Sequence, residues 1–283
     1  QENALQQAGE LLTRVTELTV QANNAALSTE DRKSVSAELR SVREALFALA
    51  NSTDGNGVYL FSGFQGGIKP FTESAYGQVS YNGDEGVRKI QISSGRQIPI
   101  SENGNEVFRN IKNGNGTFVT AAGSANTGSG VVSSGEVTSK TAWDSAPSPR
   151  NFEVRFTGSS TYDIYLNNAS IVTGASYTAG STISLASYGV QFSVSGAPAG
   201  GDSFTLNPST NEDIFSTIGA FSSALTSYTT DSTGNGQADF QNSLNGVMQN
   251  LDNALSQVLK VQASIGARMK ETESVQDTNE DLQ

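Results

Sequence analysis

Cysteine and histidine are both absent from the 283 residues of this sequence. Without cysteine there is no disulfide framework, no thiolate nucleophile and no cysteine-ligated zinc. Without histidine, imidazole-dependent catalytic triads and histidine-ligated metals are excluded as well. Carboxylate chemistry of the glycosidase type stays open, but no motif pairs two carboxylates for it. We therefore expect no cofactor, no metal site and no catalysis.

Positive charge and long apolar runs are also scarce. The chain has 17 Lys and Arg residues against 28 Asp and Glu residues, a net charge of −11. Such a chain is a poor partner for the phosphates of nucleic acid, and an anionic membrane surface repels it for the same reason. No stretch approaches the roughly 20 apolar residues of a membrane span. A hydrophobic content of 36% is low for a compact globule and favours an elongated molecule.

The clearest pattern is a heptad repeat near the C-terminus. It predicts a helix of roughly 46 residues, about 70 Å long, packed lengthwise on other helices. Beyond Ile265 the spacing continues through residues of which most are polar, so we expect that part to contact a segment or subunit outside this chain. The apolar steps of four and three residues fall at Phe240, Leu244, Val247, Leu251, Ala254, Val258, Val261 and Ile265.

The N-terminal region shows the same stagger and predicts two antiparallel helices. The first should run from about Glu2 to Ala26. Ser28 then precedes Asp31 at the spacing of a capping box, which predicts the start of a second helix ending near Asn51. A third helix is expected from Ile214. The apolar stripe of the second helix consists of Val35, Leu39, Val42, Leu46 and Leu49.

Between the helical ends the apolar residues alternate with a period of two. Residues 78–81 and 87–92, joined by 82–86, predict a hairpin, and alternation recurs at 152–156, 162–166 and 190–194. Turn residues recur about every ten positions, as in a β-sandwich or barrel. The Gly- and Ser-rich stretch 123–135 is interpreted as a loop or a connection between domains.

Together these patterns predict an α+β protein with two domains. An elongated helical core domain with a β-hairpin region is expected from residues 1–115 and 208–283, and an inserted β-rich outer domain from residues 116–207. Helices from both chain ends need each other to bury their apolar faces. The residues predicted to form this helical seam and to serve assembly are Leu5, Leu12, Val15, Leu39, Val42, Leu46, Leu244, Val247, Leu251, Val258, Val261, Ile265, Val275 and Leu282.

Specific strings carry a family resemblance. LTRVTELTVQAN at 12–23 closely resembles the opening of the helical core of bacterial flagellins and their relatives. The run 27–63, which ends in NGVYLFSG, is similar to the third hook-associated proteins, the hook–filament junction family. GDSFTLNPSTNEDIFSTI at 201–218 and IGARMKETE at 265–273 resemble the same family at the expected end of the chain.

The resemblance implies a structural subunit of a ring between hook and filament of the bacterial flagellum. Its implied partners are neighbouring copies of itself, the first hook-associated protein, flagellin and a cytoplasmic export chaperone. Its implied location is extracellular, after export through the flagellar secretion system. Family members carry terminal segments that form an innermost coiled coil, and the resemblance implies that this chain lacks them at both ends.

The resemblance also suggests an unintended partner. In flagellins an innate immune receptor reads an Arg and a Leu on the first core helix and a Glu on the second. The matching positions here are Arg14, Leu18 and Glu38. Arg14 and Leu18 are four residues apart, and Glu38 on the antiparallel helix is expected beside them. The alternative is that these residues serve packing between subunits.

Three other functions stay open from the sequence. The first is a flagellin filament subunit, against which NGVYLFSG argues. The second is a glycan-binding surface protein that uses the β insertion as its binding module. The third is an enzyme acting on a polysaccharide, which a hydrolysis assay would test.

Overall fold

A computed structural model describes residues 1–24, 27–93, 96–228 and 233–281 of the chain. Four long helices dominate these residues, and two short helices and a 3-10 turn accompany them. The helices are α1 (Glu2–Ala22), α2 (Thr29–Ala50), α3 (Gly104–Phe108), α4 (Lys140–Ser145), α5 (Ile214–Ser227) and α6 (Asn235–Asp281), and the 3-10 turn spans Ala186–Tyr188.

Local sequence explains where α2 begins. The Ser28 hydroxyl accepts the Asp31 N–H at 3.1 Å, and the Asp31 carboxylate accepts the Ser28 N–H at 3.1 Å. This reciprocal pair is the predicted capping box, which is confirmed. Helix α1 ends at Ala22, before the predicted Ala26. Residues 25 and 26 lie outside the described residues.

The four long helices pack as a bundle. Helix α1 contacts α2 and α6, and α5 contacts α2 and α6, so each helix has two helical neighbours. Their apolar faces form one hydrophobic cluster, which we call the core cluster. Phe61, Phe71 and Phe108 from the segment after α2 join it, and the Phe71 ring lies 5.5 Å from that of Phe215 on α5. The segment between the helices therefore shares the core of the bundle.

Two hairpins follow α2, and they differ from the predicted one. Strand β1 (Phe71–Ala75) pairs with β2 (Gln78–Tyr81), and β3 (Lys89–Ser93) pairs with β4 (Arg96–Pro99), so the predicted pairing of 78–81 with 87–92 is wrong. Residues 82–86 form a loop because the Asp84 carboxylate accepts the N–H groups of Phe64 and Gly86 at 2.9 and 2.7 Å. Gly77, with φ of 83°, supplies the turn between β1 and β2 instead.

The middle of the chain forms two antiparallel sheets. One has five strands in the order β11-β10-β9-β14-β6, and the other runs β12-β13-β7 with β8 beside β13. The strands are β6 (Phe118–Ala122), β7 (Val131–Val132), β8 (Glu136–Val137), β9 (Phe152–Gly158), β10 (Thr161–Leu166), β11 (Ala169–Ser176), β12 (Thr182–Leu185), β13 (Val190–Ser195) and β14 (Ser203–Pro208). A further pair, β5 (Ile111–Lys112) with β15 (Asn211–Glu212), lies where the chain enters and leaves this region.

The two sheets enclose a second hydrophobic cluster, the insertion cluster, which contains Phe118, Trp143 and Phe152. The stretch 123–135 is not a connection between domains, because it contains β7 and is pinned to this region. The buried Asp202 carboxylate accepts the N–H groups of Thr127 and Gly128 at 2.7 and 3.1 Å.

The fold is α+β, as predicted, with a helical bundle built from both chain ends and a β-rich insertion between them. The core cluster and the insertion cluster share no residue. This separation supports domain boundaries at 115/116 and 207/208, which stay a prediction.

Candidate assembly surfaces

The predicted seam is the interior of the helical bundle. Its residues on α1 and α2, and those on α6 as far as Val261, are buried, except that Val42 is only partly buried against the core cluster. Ile265 is likewise partly buried, and Val275 is half-exposed. Leu282 lies outside the described residues. Most of the seam therefore has its partners within the chain, and any assembly role must use other surfaces.

Helix α6 just beyond Ile265 has partners within the chain, and its expected contact with a segment or subunit outside the chain stays a prediction. The Arg268 guanidinium donates to the Pro99 carbonyl at 3.2 Å and forms an ion pair with Glu102. Arg96 forms a second ion pair with Glu271. The β3–β4 hairpin and Glu102 just after it therefore contact α6 at Arg268 and Glu271.

The start of α1 joins the same cluster of contacts. The Gln1 side chain accepts the Glu102 N–H at 2.8 Å and donates to the Glu102 carbonyl at 2.9 Å. Beside these contacts is a groove of about 350 Å³, lined in part by Ile98, Ile100 and Met269. Ile100 is 56% exposed and Met269 is 46% exposed, so apolar surface is open to solvent at this end of the bundle.

The structure brings two of the three proposed receptor-contacting residues together. The Arg14 guanidinium donates to Glu38 at 2.8 Å from Nε, and it also pairs with Glu17 at 2.8 Å. The hydrogen bonds to Glu17 and Glu38 raise the pKa of Arg14. Leu18 is fully buried in the core cluster, so it is not exposed beside Arg14 and Glu38. Receptor binding stays a prediction, and it would have to rely on Arg14 and Glu38.

An ion pair that sequence reasoning missed links buried Arg43 on α2 to the exposed Glu73 of the first hairpin. Arg43 is 2% exposed, donates to the Phe215 carbonyl at 2.8 Å and pairs with Glu73. Burial raises the pKa of Glu73, but hydrogen bonds from Arg43 and the Gly77 N–H, with the Arg43 charge, outweigh it and hold this pKa below its ordinary value. Arg43 lies on the same helical stripe as Leu39 and Leu46. This spacing is the feature of the sequence that could have predicted the burial of Arg43.

Among the described residues, no group of three or more acidic side chains is placed to hold a metal ion. The part of the chain that the structure describes also contains no helix long and apolar enough to cross a membrane.

Comparisons with known proteins agree with this architecture. The bacterial flagellin N-terminal helical region matches residues 1–66. The crystal structure of Xanthomonas campestris FlgL is 35% identical, with a TM-score of 0.90, and the match covers 100% of this chain and 89% of that one. Hook-associated protein 3 from Legionella pneumophila is 32% identical, with a TM-score of 0.89, over 99% and 87% of the two chains.

A curated relative matches over a shorter region. Flagellar hook-associated protein 3 of Salmonella typhimurium is 36% identical over 108 residues, which is 38% of this chain. The matched region spans 33% of that relative's length.

A helical bundle made from both chain ends, with a β-rich insertion and a flagellin-type N-terminal region, defines a protein of the flagellin type. Within that class, the near-complete match to FlgL structures at 32–35% identity is decisive. The chain belongs to the hook-associated protein 3 (FlgL) family.

Proposed function

We propose that this protein is a structural subunit of the bacterial flagellum that forms the junction between hook and filament, without catalysis. The observation that carries the proposal is the match of the whole chain, bundle and insertion together, to FlgL structures. One of these relatives, from Legionella pneumophila, is described as a flagellar junction protein, at 31% identity and a TM-score of 0.89.

The chemistry of the chain supports a structural role. Most of the predicted seam is buried inside the bundle, which gives a stiff rod whose length is set by α6, 47 residues or about 70 Å. A rigid subunit presents the same surface to each neighbouring copy, which favours a regular assembly of identical subunits. Exposed Ile100 and Met269 at the end of the bundle provide apolar surface for such contacts.

The proposed partners are neighbouring copies of the chain in a ring, the first hook-associated protein on the hook side and flagellin on the filament side. The proposed location is the extracellular flagellum, reached through the flagellar secretion system with the help of a cytoplasmic chaperone. The absence of cysteine supports this route, because an unfolded chain that reaches an oxidising exterior then carries no thiols to mispair.

Deletion of the gene in the bacterium that encodes it tests the proposal. We expect cells with hooks but without attached filaments, and flagellin monomers in the medium. Expression of the full chain should restore filaments. Expression of Leu251→Asp, which disrupts the bundle core, should not, whereas Gln237→Ala at an exposed position of α6 should restore them fully.

Filaments of normal length in the deletion strain would contradict the junction role. The flagellin alternative would be favoured by two results together: the deletion strain loses the bulk of its filaments, and the purified protein alone forms long filaments.

A further inference from the structure

Side-chain amides line a second face of α6. At about 100° per residue, they point roughly 130° away from the centre of the apolar seam on the same helix. The helix therefore has an apolar face toward the bundle and an amide face that contacts the insertion, the segment leading into it and helix α3. We call these residues the amide ladder: Asn235, Asn242, Asn245, Asn250, Asn253 and Gln257.

One half of the amide ladder holds the insertion. Asn242 accepts the Val132 N–H at 2.9 Å and donates to the Gly130 carbonyl at 3.0 Å. Pairing with both groups of an extended segment is what a neighbouring strand does. Asn242 thus occupies the edge of β7 that does not pair with β13. Asn235 adds a further contact with the insertion by donating to the Asn126 carbonyl at 2.7 Å.

The other half of the amide ladder holds the place where the chain passes from bundle to insertion. Asn253 donates to the Lys112 and Gly114 carbonyls at 2.7 and 2.8 Å. Asn250 accepts the Gly114 N–H at 3.0 Å and donates to Glu212 at 3.0 Å. Asn235, which contacts the insertion, and Asn253, which contacts the segment leading into it, are 18 positions apart on one helix, which is about 27 Å.

Hydrophobic packing does not supply this connection. The core cluster and the insertion cluster share no residue. Between β6 and helices α5 and α6 lies a cleft of about 520 Å³, lined in part by Ala122, Phe221 and Val247. Asn242 and Asn250 of the amide ladder also line this cleft, so hydrogen bonds from α6 span a place where apolar packing between β6 and the helices is incomplete.

We infer that the amide ladder, and not apolar burial, sets the angle of the β insertion relative to the helical bundle. The direction of the insertion then follows α6: a shift of one residue in the register of this helix rotates its side chains by about 100° and moves every amide off its partner. Motion imposed on the C-terminal helix is transmitted to the insertion through these bonds. The inference does not depend on the proposed flagellar role.

The double variant Asn242→Ala/Asn253→Ala tests the inference. The native chain has no cysteine, so Glu44→Cys on α2 and Thr173→Cys on β11, both exposed, place two spin labels on bundle and insertion. We expect one narrow distance distribution in the otherwise native chain and a broad one in the double variant. Helical circular dichroism and Trp143 fluorescence should show that both regions stay folded.

Gln237→Ala is the matched control, because it removes an exposed amide from the same helix. It should leave the distance distribution narrow. Hydrogen exchange gives a local readout: the Val132 amide should exchange roughly tenfold faster in the double variant and at the native rate in the control.

A narrow, unshifted distance distribution in a folded double variant would overturn the inference. If the double variant does not fold, Asn242→Asp replaces it. That variant keeps the acceptor for the Val132 N–H but places a carboxylate oxygen against the Gly130 carbonyl. A broadened distribution in Asn242→Asp supports the inference, and an unchanged one refutes it.

Discussion

Arg43 and Arg14 each pair with glutamate, but their surroundings differ. Arg43 is 2% exposed and also bonds the Phe215 carbonyl, while the side chains of Arg14 and Glu38 are 46% and 45% exposed. Water screens the Arg14 pairs, so they contribute little to stability. Removal of Arg43 leaves the Phe215 carbonyl without its donor and takes away a large buried side chain, which is costly, although the exposed Glu73 carboxylate stays in contact with water.

Arg43→Ala should therefore lower the free energy of unfolding by about 2 to 5 kcal/mol. Arg14→Ala should change it little. Urea denaturation followed by circular dichroism measures the free energy of unfolding of both variants. Small and equal decreases in the two variants would contradict the burial of Arg43. Because the pKa of Glu73 lies below its ordinary value, the pair's contribution is present above pH 4.5 and is lost as the pH falls through the folded-state pKa.

Tyr81 gives a residue-scale prediction at high pH. Its hydroxyl lies 2.9 Å from the carbonyl oxygens of Phe61 and Asp84, and burial raises its pKa from 10.0 to about 12. The neutral form is thus favoured in the folded state, so this contribution to stability is complete below pH 10 and is lost as the pH rises through 12.

Absorbance titration of the phenol groups should show a component near pH 12 that is absent in Tyr81→Phe. Loss of the hydroxyl should also cost about 1 kcal/mol at neutral pH. A titration curve that is the same in both proteins would show that Tyr81 is not shielded from solvent.

At the scale of elements, α6 has two stretches with different partners. Its first half packs on the bundle through Leu244 and Leu251 and on the insertion through the amide ladder. The stretch after Ile265 pairs with the β3–β4 hairpin through Arg96–Glu271 and with Glu102, just after the hairpin, through Arg268. Val275 is only half-buried. The cost of a substitution should therefore fall along the helix toward its C-terminal end.

Leu251→Asp should lower stability by about 4 kcal/mol or more, because it places an unpaired charge in the core cluster. Val275→Asp should be far milder. Thermal melts followed by circular dichroism compare the two variants. Equal losses of melting temperature would show that the helix is packed evenly along its length.

At the scale of the molecule, two hydrophobic clusters without shared residues give two units that can lose stability separately. The single tryptophan, Trp143, is 3% exposed and lies in the insertion cluster. Its fluorescence therefore reports on the insertion, while the helical signal in circular dichroism reports mainly on the bundle.

Leu251→Asp should consequently lower the midpoint of the helical signal more than the midpoint of Trp143 fluorescence in the same denaturant series. Phe156→Ala, which removes a buried ring from the insertion cluster, should do the reverse. Midpoints that move together in both variants would mean that bundle and insertion unfold as one unit.

The sequence by itself determined the helices and the location of the bundle core. Heptad spacing and the Ser28–Asp31 capping box are local patterns, and an apolar stripe such as Leu39 and Leu46 has to be buried somewhere. The alternating strands at 152–156, 162–166 and 190–194 were visible for the same reason. The resemblance carried by NGVYLFSG supplied the family.

Only the tertiary structure decided which segments meet. Strand pairing depends on contacts between distant residues, so the Asp84 loop, and not the local turn signal, selected the two hairpins after α2. Burial of Leu18 and Arg43 depends on neighbouring helices. The amides of α6 look like ordinary polar residues in the sequence, because a hydrogen bond to the backbone of another segment leaves no periodic signal there.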